Sequence, residues 1–125
     1  MPRDVVISDE IAPPPAPLSS AVRSHGMTYV SGLIAIDPST GTLAAGDVTA
    51  QTERVLHDLA TVLSAAGKSL DDVVRVGVYL TDISTFAAMN AVYQRHFEPP
   101  YPARTTICVA ALPLAAAVEI DAVAG

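Results

Sequence analysis

The chain has 125 residues, with 7 basic and 13 acidic side chains giving a formal charge of -6, one cysteine, and hydrophobic residues making up half of the sequence. That length suits one compact domain, residues 1–125, and the acidic balance repels phosphate backbones and speaks against nucleic acid as a partner. Cys108 has no second cysteine to pair with, which removes an intrachain disulfide and a cysteine-based zinc site, and with only 16% charged residues the apolar surplus points to burial between copies of the chain.

Asp4 to Ile7 predicts a short edge strand, and the run Ala12 to Pro17 that follows it cannot donate ladder hydrogen bonds and should lie extended on the surface. Ala21–Arg23 and Met27–Ile36 read as the two strands of a hairpin, joined by Ser24-His25-Gly26, with Asp37-Pro-Ser-Thr-Gly41 closing the second strand. From Val48 to Ala66 the apolar positions Val55, Leu56, Leu59, Val62, Leu63 and Ala66 recur at three and four. That spacing predicts a helix capped by Asp47 and stopped by Gly67.

Leu70 to Leu80 is a β-branched run expected to form a central strand buried on both faces. Ser84 is placed to cap a second helix ending near His96, with Phe86, Met89, Tyr93 and Phe97 as its core stripe. Pro99, Pro100 and Pro102 stop that helix and lead into a strand over Arg104–Ala110, and a last strand covers Val118–Val123. The result is an α+β domain: a mixed six-stranded sheet with two helices on one face.

No apolar run approaches the length of a membrane span and no leader precedes the first strand, so a cytoplasmic, membrane-free protein is expected. Dinucleotide, nucleotide, serine-hydrolase and zinc-protease signatures are missing. His25, His57 and His96 have no ligand spacing, and each reads as a surface or boundary residue, so no metal is expected. Cys108 lies within a predicted strand, where a buried, inert thiol is the default.

Two charges interrupt the last apolar strands, Arg104 and Glu119. They either pair with each other or serve a ligand, the Arg as a bidentate anchor for an anion and the Glu as a proton carrier. If the last two strands formed a simple hairpin, Glu119 would face Cys108, roughly 13 Å along the strand from Arg104. A shared site therefore requires the final strand to insert elsewhere in the sheet, or Glu119 to reach the site at a subunit boundary.

The segments Val30-Ser-Gly32, Ala50-Gln-Thr52, Ala65-Ala-Gly67, Leu70-Asp-Asp-Val-Val74, Tyr79-Leu-Thr-Asp82, Met89-Asn90, Tyr93, Phe97, Tyr101-Pro-Ala-Arg-Thr-Thr106, Ala111-Leu-Pro113 and Val118-Glu-Ile120 together resemble the RidA/YjgF/UK114 family of enamine/imine deaminases. The resemblance implies a chorismate-mutase-like (YjgF-like) domain, a homotrimer whose sheets enclose a barrel, and ligand clefts between subunits. It also implies cofactor-free, metal-free hydrolysis of 2-aminoacrylate, through 2-iminopropanoate, to pyruvate and ammonia, an activity of the 2-iminobutanoate/2-iminopropanoate deaminase type acting on a small 2-imino or 2-keto acid.

By position, Arg104 matches the family's carboxylate-binding arginine and Glu119 its water-directing acid. Ser31 and Gly32 match the cleft wall, and Asn90 the supporting Asn of the second helix. Leu18 stands where active deaminases carry a cleft-lining Tyr, Thr106 where many members have Cys, and Leu33 where Gln is frequent. Leu18 removes a hydroxyl and greases the pocket, which points to a more apolar imine or to a non-catalytic carboxylate binder on the same scaffold. A ribonuclease or translation-inhibitor role, attached to some relatives, fits the acidic balance poorly.

Overall fold

The computed structural model describes residues 3–125. Its strands are β1 (Asp4–Val6), β2 (Ala21–Ser24), β3 (Met27–Leu33), β4 (Ile36–Asp37), β5 (Thr42–Leu43), β6 (Val73–Leu80), β7 (Ala103–Cys108) and β8 (Val118–Ala124), and its helices α1 (Val48–Ala65) and α2 (Phe86–His96). Six strands form one sheet in the order β1-β2-β3-β8-β6-β7, antiparallel except for the β6–β7 pair, and β4–β5 make a separate ribbon. The mixed sheet and two helices agree with expectation.

Local chemistry accounts for the elements that the sequence marked. At the β2–β3 turn His25 and Gly26 both have positive φ, 51° and 79°, as a two-residue hairpin that preserves strand twist requires. The Asp47 carboxylate accepts a hydrogen bond from the Ala50 amide at 3.1 Å and so caps α1. At the other end Lys68 N–H donates to Leu63 C=O and Gly67 N–H to Ser64 C=O, the paired bonds of a left-handed helix stop with Gly67 at φ 74°.

Val55, Leu56, Leu59, Val62 and Leu63 of α1 pack with Met89 and Val92 of α2 onto Val76, Val78, Leu80, Val118, Ile120 and Ala122 of the sheet. Each such side chain taken fully out of water contributes about 1.5–3 kcal/mol before chain entropy is charged against it.

Five expectations are corrected. The strand from Met27 ends at Leu33, because Ile36–Asp37 leaves the main sheet to pair with Thr42–Leu43. The run from Leu70 opens with a single 3-10 turn, Leu70–Asp72, capped reciprocally by Ser69 and Asp72, and β6 begins at Val73. In the single chain β6 is not buried throughout, since Val74 and Arg75 are exposed and Tyr79 is half-buried, and the central strands are β3 and β8. Ser84 does not cap α2: it lies in a 3-10 turn, Ile83–Thr85, that precedes the helix and is capped by Asp82, whose carboxylate takes both the amide and the hydroxyl of Ser84; the two bonds hold the Asp82 carboxyl below its ordinary range. Cys108 is exposed, since β7 ends the sheet and neither helix reaches over its last residue.

The decisive topological feature is the placement of β8 between β3 and β6. Gln51, buried on α1, secures the start of that strand: its amide NH₂ donates to Gly46 C=O at 3.1 Å and its carbonyl accepts from the Ala117 N–H at 2.9 Å. Both halves of the side-chain amide are thus satisfied inside the protein, as a buried amide must be.

Candidate functional site

Arg104 opens β7 opposite Val76, whose side chain faces the helices, so the guanidinium emerges on the helix side of the sheet. There it lies over the ring of Tyr93 at 4.6 Å and near that of Phe86 at 5.8 Å, both from α2. Tyr93 in turn stacks on Phe97, with ring centroids 4.5 Å apart. The ring faces attract the cation. Among the described residues no carboxylate lies within ion-pair distance of Arg104.

Beside it is a pocket of about 280 Å³ lined by Asn90, Tyr93, Gln94, Tyr101, Pro102 and Arg104. The polar atoms here are unusual. Asn90 Oδ1, the Tyr93 hydroxyl and Thr106 Oγ1 are buried and find no hydrogen-bond partner among the protein groups described. Most buried polar atoms in proteins are paired, and an orphaned one costs roughly 1–3 kcal/mol. Asn90 and Tyr93 line this pocket with Arg104, while Thr106 lies two residues further along β7 on the same face. Burial raises the Tyr93 hydroxyl above the ordinary phenol range, with Arg104 opposing the shift in part, so Tyr93 is a donor at neutral pH.

Glu119 lies elsewhere. It alternates with the core residues Val118 and Ile120 and sits opposite Tyr79 of β6, which places it on the face away from the helices. From the register, Arg104 and Glu119 are two strands apart and offset by three residues, about 14 Å between backbones, with the sheet between their side chains. The two charges do not pair, and one copy of the chain cannot bring both to one small substrate.

On its own face Glu119 lies over Gly32 of β3, where the pairing with β8 shifts between Val30 and Leu33. A β-carbon at position 32 would come 2.8 Å from Glu119 Cδ, so the missing side chain is what lets the carboxylate lie flat on the strand. Burial, and then the charge of Asp121, raise the Glu119 carboxyl above its usual range. That is the direction a group needs to exchange protons near neutrality.

Ser31 and Leu18 line a separate hollow of about 610 Å³ with Arg3, Ser19, Val22 and Tyr29. The Ser31 hydroxyl donates to Ser19 C=O at 2.6 Å, tying the proline-rich segment to β3, and Leu18 is half-exposed on the hollow's wall. The candidate residues therefore fall into an Arg104–Asn90–Thr106 group on the helix side and a Glu119–Gly32 group with its Ser31–Leu18 hollow. Two contributors escaped the sequence reading. Tyr93 was taken up by the core stripe, although its spacing of three from Asn90 puts both on one side of α2. Asp121 shares a face with Glu119 by simple strand alternation.

A family model described as Endoribonuclease L-PSP matches residues 9–125. The chain belongs to the RidA/YjgF family. It is 40% identical to a RutC family protein of Pyrococcus abyssi, over 99% of this chain and 98% of the relative. It is 39% identical to the 2-iminobutanoate/2-iminopropanoate deaminase of Mus musculus, over 95% and 89%. Among solved structures, a putative endoribonuclease from Thermotoga maritima superposes with a TM-score of 0.92 at 43% identity, covering 97% of this chain and 95% of that one. Relatives named as deaminases make an enamine/imine deaminase type of activity the family-level reading of this RidA-family chain. No helix among the described residues is long and apolar enough to cross a membrane.

Proposed function

We propose that this RidA-family protein hydrolyses small 2-enamino or 2-imino acids such as 2-aminoacrylate to the 2-keto acid and ammonia. The observation that carries the reading is Arg104, without a carboxylate partner among the described residues, lying over the aromatic rings of α2 in a pocket that it shares with the orphaned polar atoms of Asn90 and Tyr93. Its fork binds the substrate carboxylate bidentately, while the Tyr93 hydroxyl, Asn90 and Thr106 complete the ligand's hydrogen bonds. Glu119 handles the protons, and since the sheet separates it from Arg104 within one chain, the cleft is built by two copies, in keeping with a homotrimer: Arg104, Asn90, Tyr93 and Thr106 from one, and Glu119, Gly32, Ser31 and Leu18 from the next.

The steps balance around Glu119. Protonated Glu119 gives its proton to the enamine methylene carbon, which turns 2-aminoacrylate into its iminium form. The carboxylate then takes a proton from water as the water oxygen bonds to the imine carbon. It passes that proton to the amine nitrogen, the C–N bond breaks, ammonia leaves, and the hydroxyl proton returns to Glu119 as the carbonyl forms. No further cofactor enters the scheme. Leu18, half-exposed on its hollow, offers contact without a hydroxyl, so the side-chain pocket suits an apolar substituent.

Subunit mixing tests the reading. Arg104→Ala and Glu119→Gln, each inactive alone in ammonia release from 2-aminoacrylate generated in situ, should regain about one quarter of wild-type activity when unfolded together and reassembled, the share of clefts that receive both native residues in a random trimer. Activity that stays at the level of the single variants would remove the two-copy cleft. Wild-type protein that binds 2-oxobutyrate yet releases no ammonia from any imine would make it a carboxylate-binding member without catalysis.

A further inference from the structure

Glu119 does not stand alone on its face. Asp121 follows it by two residues on β8, and Tyr79, opposite Glu119 on β6, reaches diagonally so that its hydroxyl donates to Asp121 Oδ2 at 2.9 Å. Gly77, opposite Asp121, leaves the space: a β-carbon there would sit 2.9 Å from the Tyr79 hydroxyl and collide with the Asp121 carboxylate. Two carboxylates thus lie side by side on a strand, each over a glycine of the neighbouring strand, Gly32 on one flank and Gly77 on the other. Only one of them receives a hydrogen bond: among the described residues Glu119 has none from a side chain, whereas Asp121 has the Tyr79 hydroxyl.

We propose that Asp121, tethered by the Tyr79 hydroxyl, is a positioning residue whose negative charge keeps a proton on Glu119. The inference rests on the reading of Glu119 as the proton-handling group. Neighbouring carboxylates do not ionise with equal ease, and a donor hydrogen bond favours the charge on the member that accepts it. Here the donor selects Asp121 as the anion, and its charge then discourages ionisation of Glu119.

The other titratable or charged groups that adjacent strands present to the pair are Arg75 of β6 and Tyr29 of β3. Arg75 lies level with Val123, its guanidinium 3.4–3.5 Å from the Val76 carbonyl and Thr105, and its charge acts on the Tyr79 hydroxyl against the effect of Asp121; Tyr29 is likewise opposite Val123. Neither forms an ion pair with the two carboxylates. The Tyr79 hydroxyl is raised above the phenol range first by its bond to Asp121, as an anionic acceptor demands. The pair therefore divides the labour: Asp121 holds the negative charge, and Glu119 keeps a proton to give to the substrate carbon.

Carboxyl-carbon NMR titration of the full chain, labelled at Asp and Glu, tests this without any substrate. Glu119 should ionise above the ordinary glutamate range. Asp121→Asn should move the Glu119 midpoint to lower pH, and Tyr79→Phe, which removes the hydrogen bond that favours the charge on Asp121, should move it the same way by a smaller amount. The pH profile of kcat should shift with Asp121→Asn in the same direction as the NMR midpoint, with Asp121→Glu restoring the wild-type profile.

A Glu119 midpoint in the ordinary range, or one that neither variant moves, overturns the inference even if imines are hydrolysed. A raised Glu119 midpoint that falls in Asp121→Asn, in a protein that hydrolyses no imine, upholds the proton placement and sinks the reaction assignment instead. Tyr79→Phe removes one oxygen from the surface and keeps the test available if Asp121→Asn does not fold.

Discussion

The two faces of the sheet treat their charges in opposite ways. On the helix side Arg104 lies over aromatic rings and shares its pocket with buried polar atoms of Asn90 and Tyr93 that the protein leaves unpaired. On the other side Glu119 lies over a glycine with a second carboxylate close by, and burial and that neighbour push it toward the neutral form. The first arrangement stabilises a fixed charge and waits for a counter-charge; the second weakens a charge so that a proton can come and go. One sheet thus separates binding from proton transfer, and a second copy of the chain is what reunites them in the proposed cleft.

The sharpest way to break this contrast is to remove each charge and compare which kinetic parameter fails. Glu119→Gln should lower kcat about 10²- to 10⁴-fold with KM nearly unchanged, the usual scale for a lost acid–base group. Arg104→Ala should lower kcat/KM about 10²- to 10³-fold, mostly through KM, since two charge-assisted hydrogen bonds are worth roughly 3–5 kcal/mol together. Steady-state rates of ammonia release measure both, and matching losses in the same parameter would erase the division.

Gly32→Ala probes the slot more gently. Its new β-carbon meets the mobile end of Glu119 and not backbone, so the fold should lose less than about 1 kcal/mol while kcat falls roughly tenfold as the carboxylate is pushed aside. Unchanged kcat with a lowered Tm would show that the glycine serves packing alone.

The smallest effect is on stability against pH. Because the folded Glu119 carboxyl lies above its unfolded value, the native state binds more protons than the unfolded state in the window between the two. Its contribution to stability therefore declines as pH rises through that window. Glu119→Gln should flatten the Tm–pH curve there and leave the variant slightly more stable on the alkaline side, by a small amount because Glu119 remains partly hydrated. A curve parallel to that of wild type would show that Glu119 titrates alike in both states.

Local order was legible because its causes are local. The three-four stripe of α1, the Asp47 cap and the Gly67 stop are each written within a few residues, and the two interrupting charges stood out against apolar strands. The sheet order was not legible, because the insertion of β8 between β3 and β6 is decided by which faces the helices cover and by a clamp from Gln51, 66 positions from its partner Ala117. The small β4–β5 ribbon has two residues per strand, too few for a period to show.

Asp82 and Ser84 are both cap formers two positions apart, and only the direction of the hydrogen bonds distinguishes them. Within the site, residue type identified Arg104 and Glu119, but which face each occupied depended on register. Tyr93 serves both roles at once, its ring in the core and its hydroxyl at the pocket, so the apolar pattern concealed its polar end.

The position of β7 has a consequence for how the chain behaves in solution. It terminates the sheet with a row of amide and carbonyl groups that no strand of the same molecule meets, and beyond Arg104 it continues Thr-Thr-Ile-Cys without a charge or a bulge to discourage another extended segment. The prolines before it guard only its beginning. An isolated copy is therefore a template for strand addition, and dilution or truncation that uncovers this border should turn a well-behaved protein into an aggregating one.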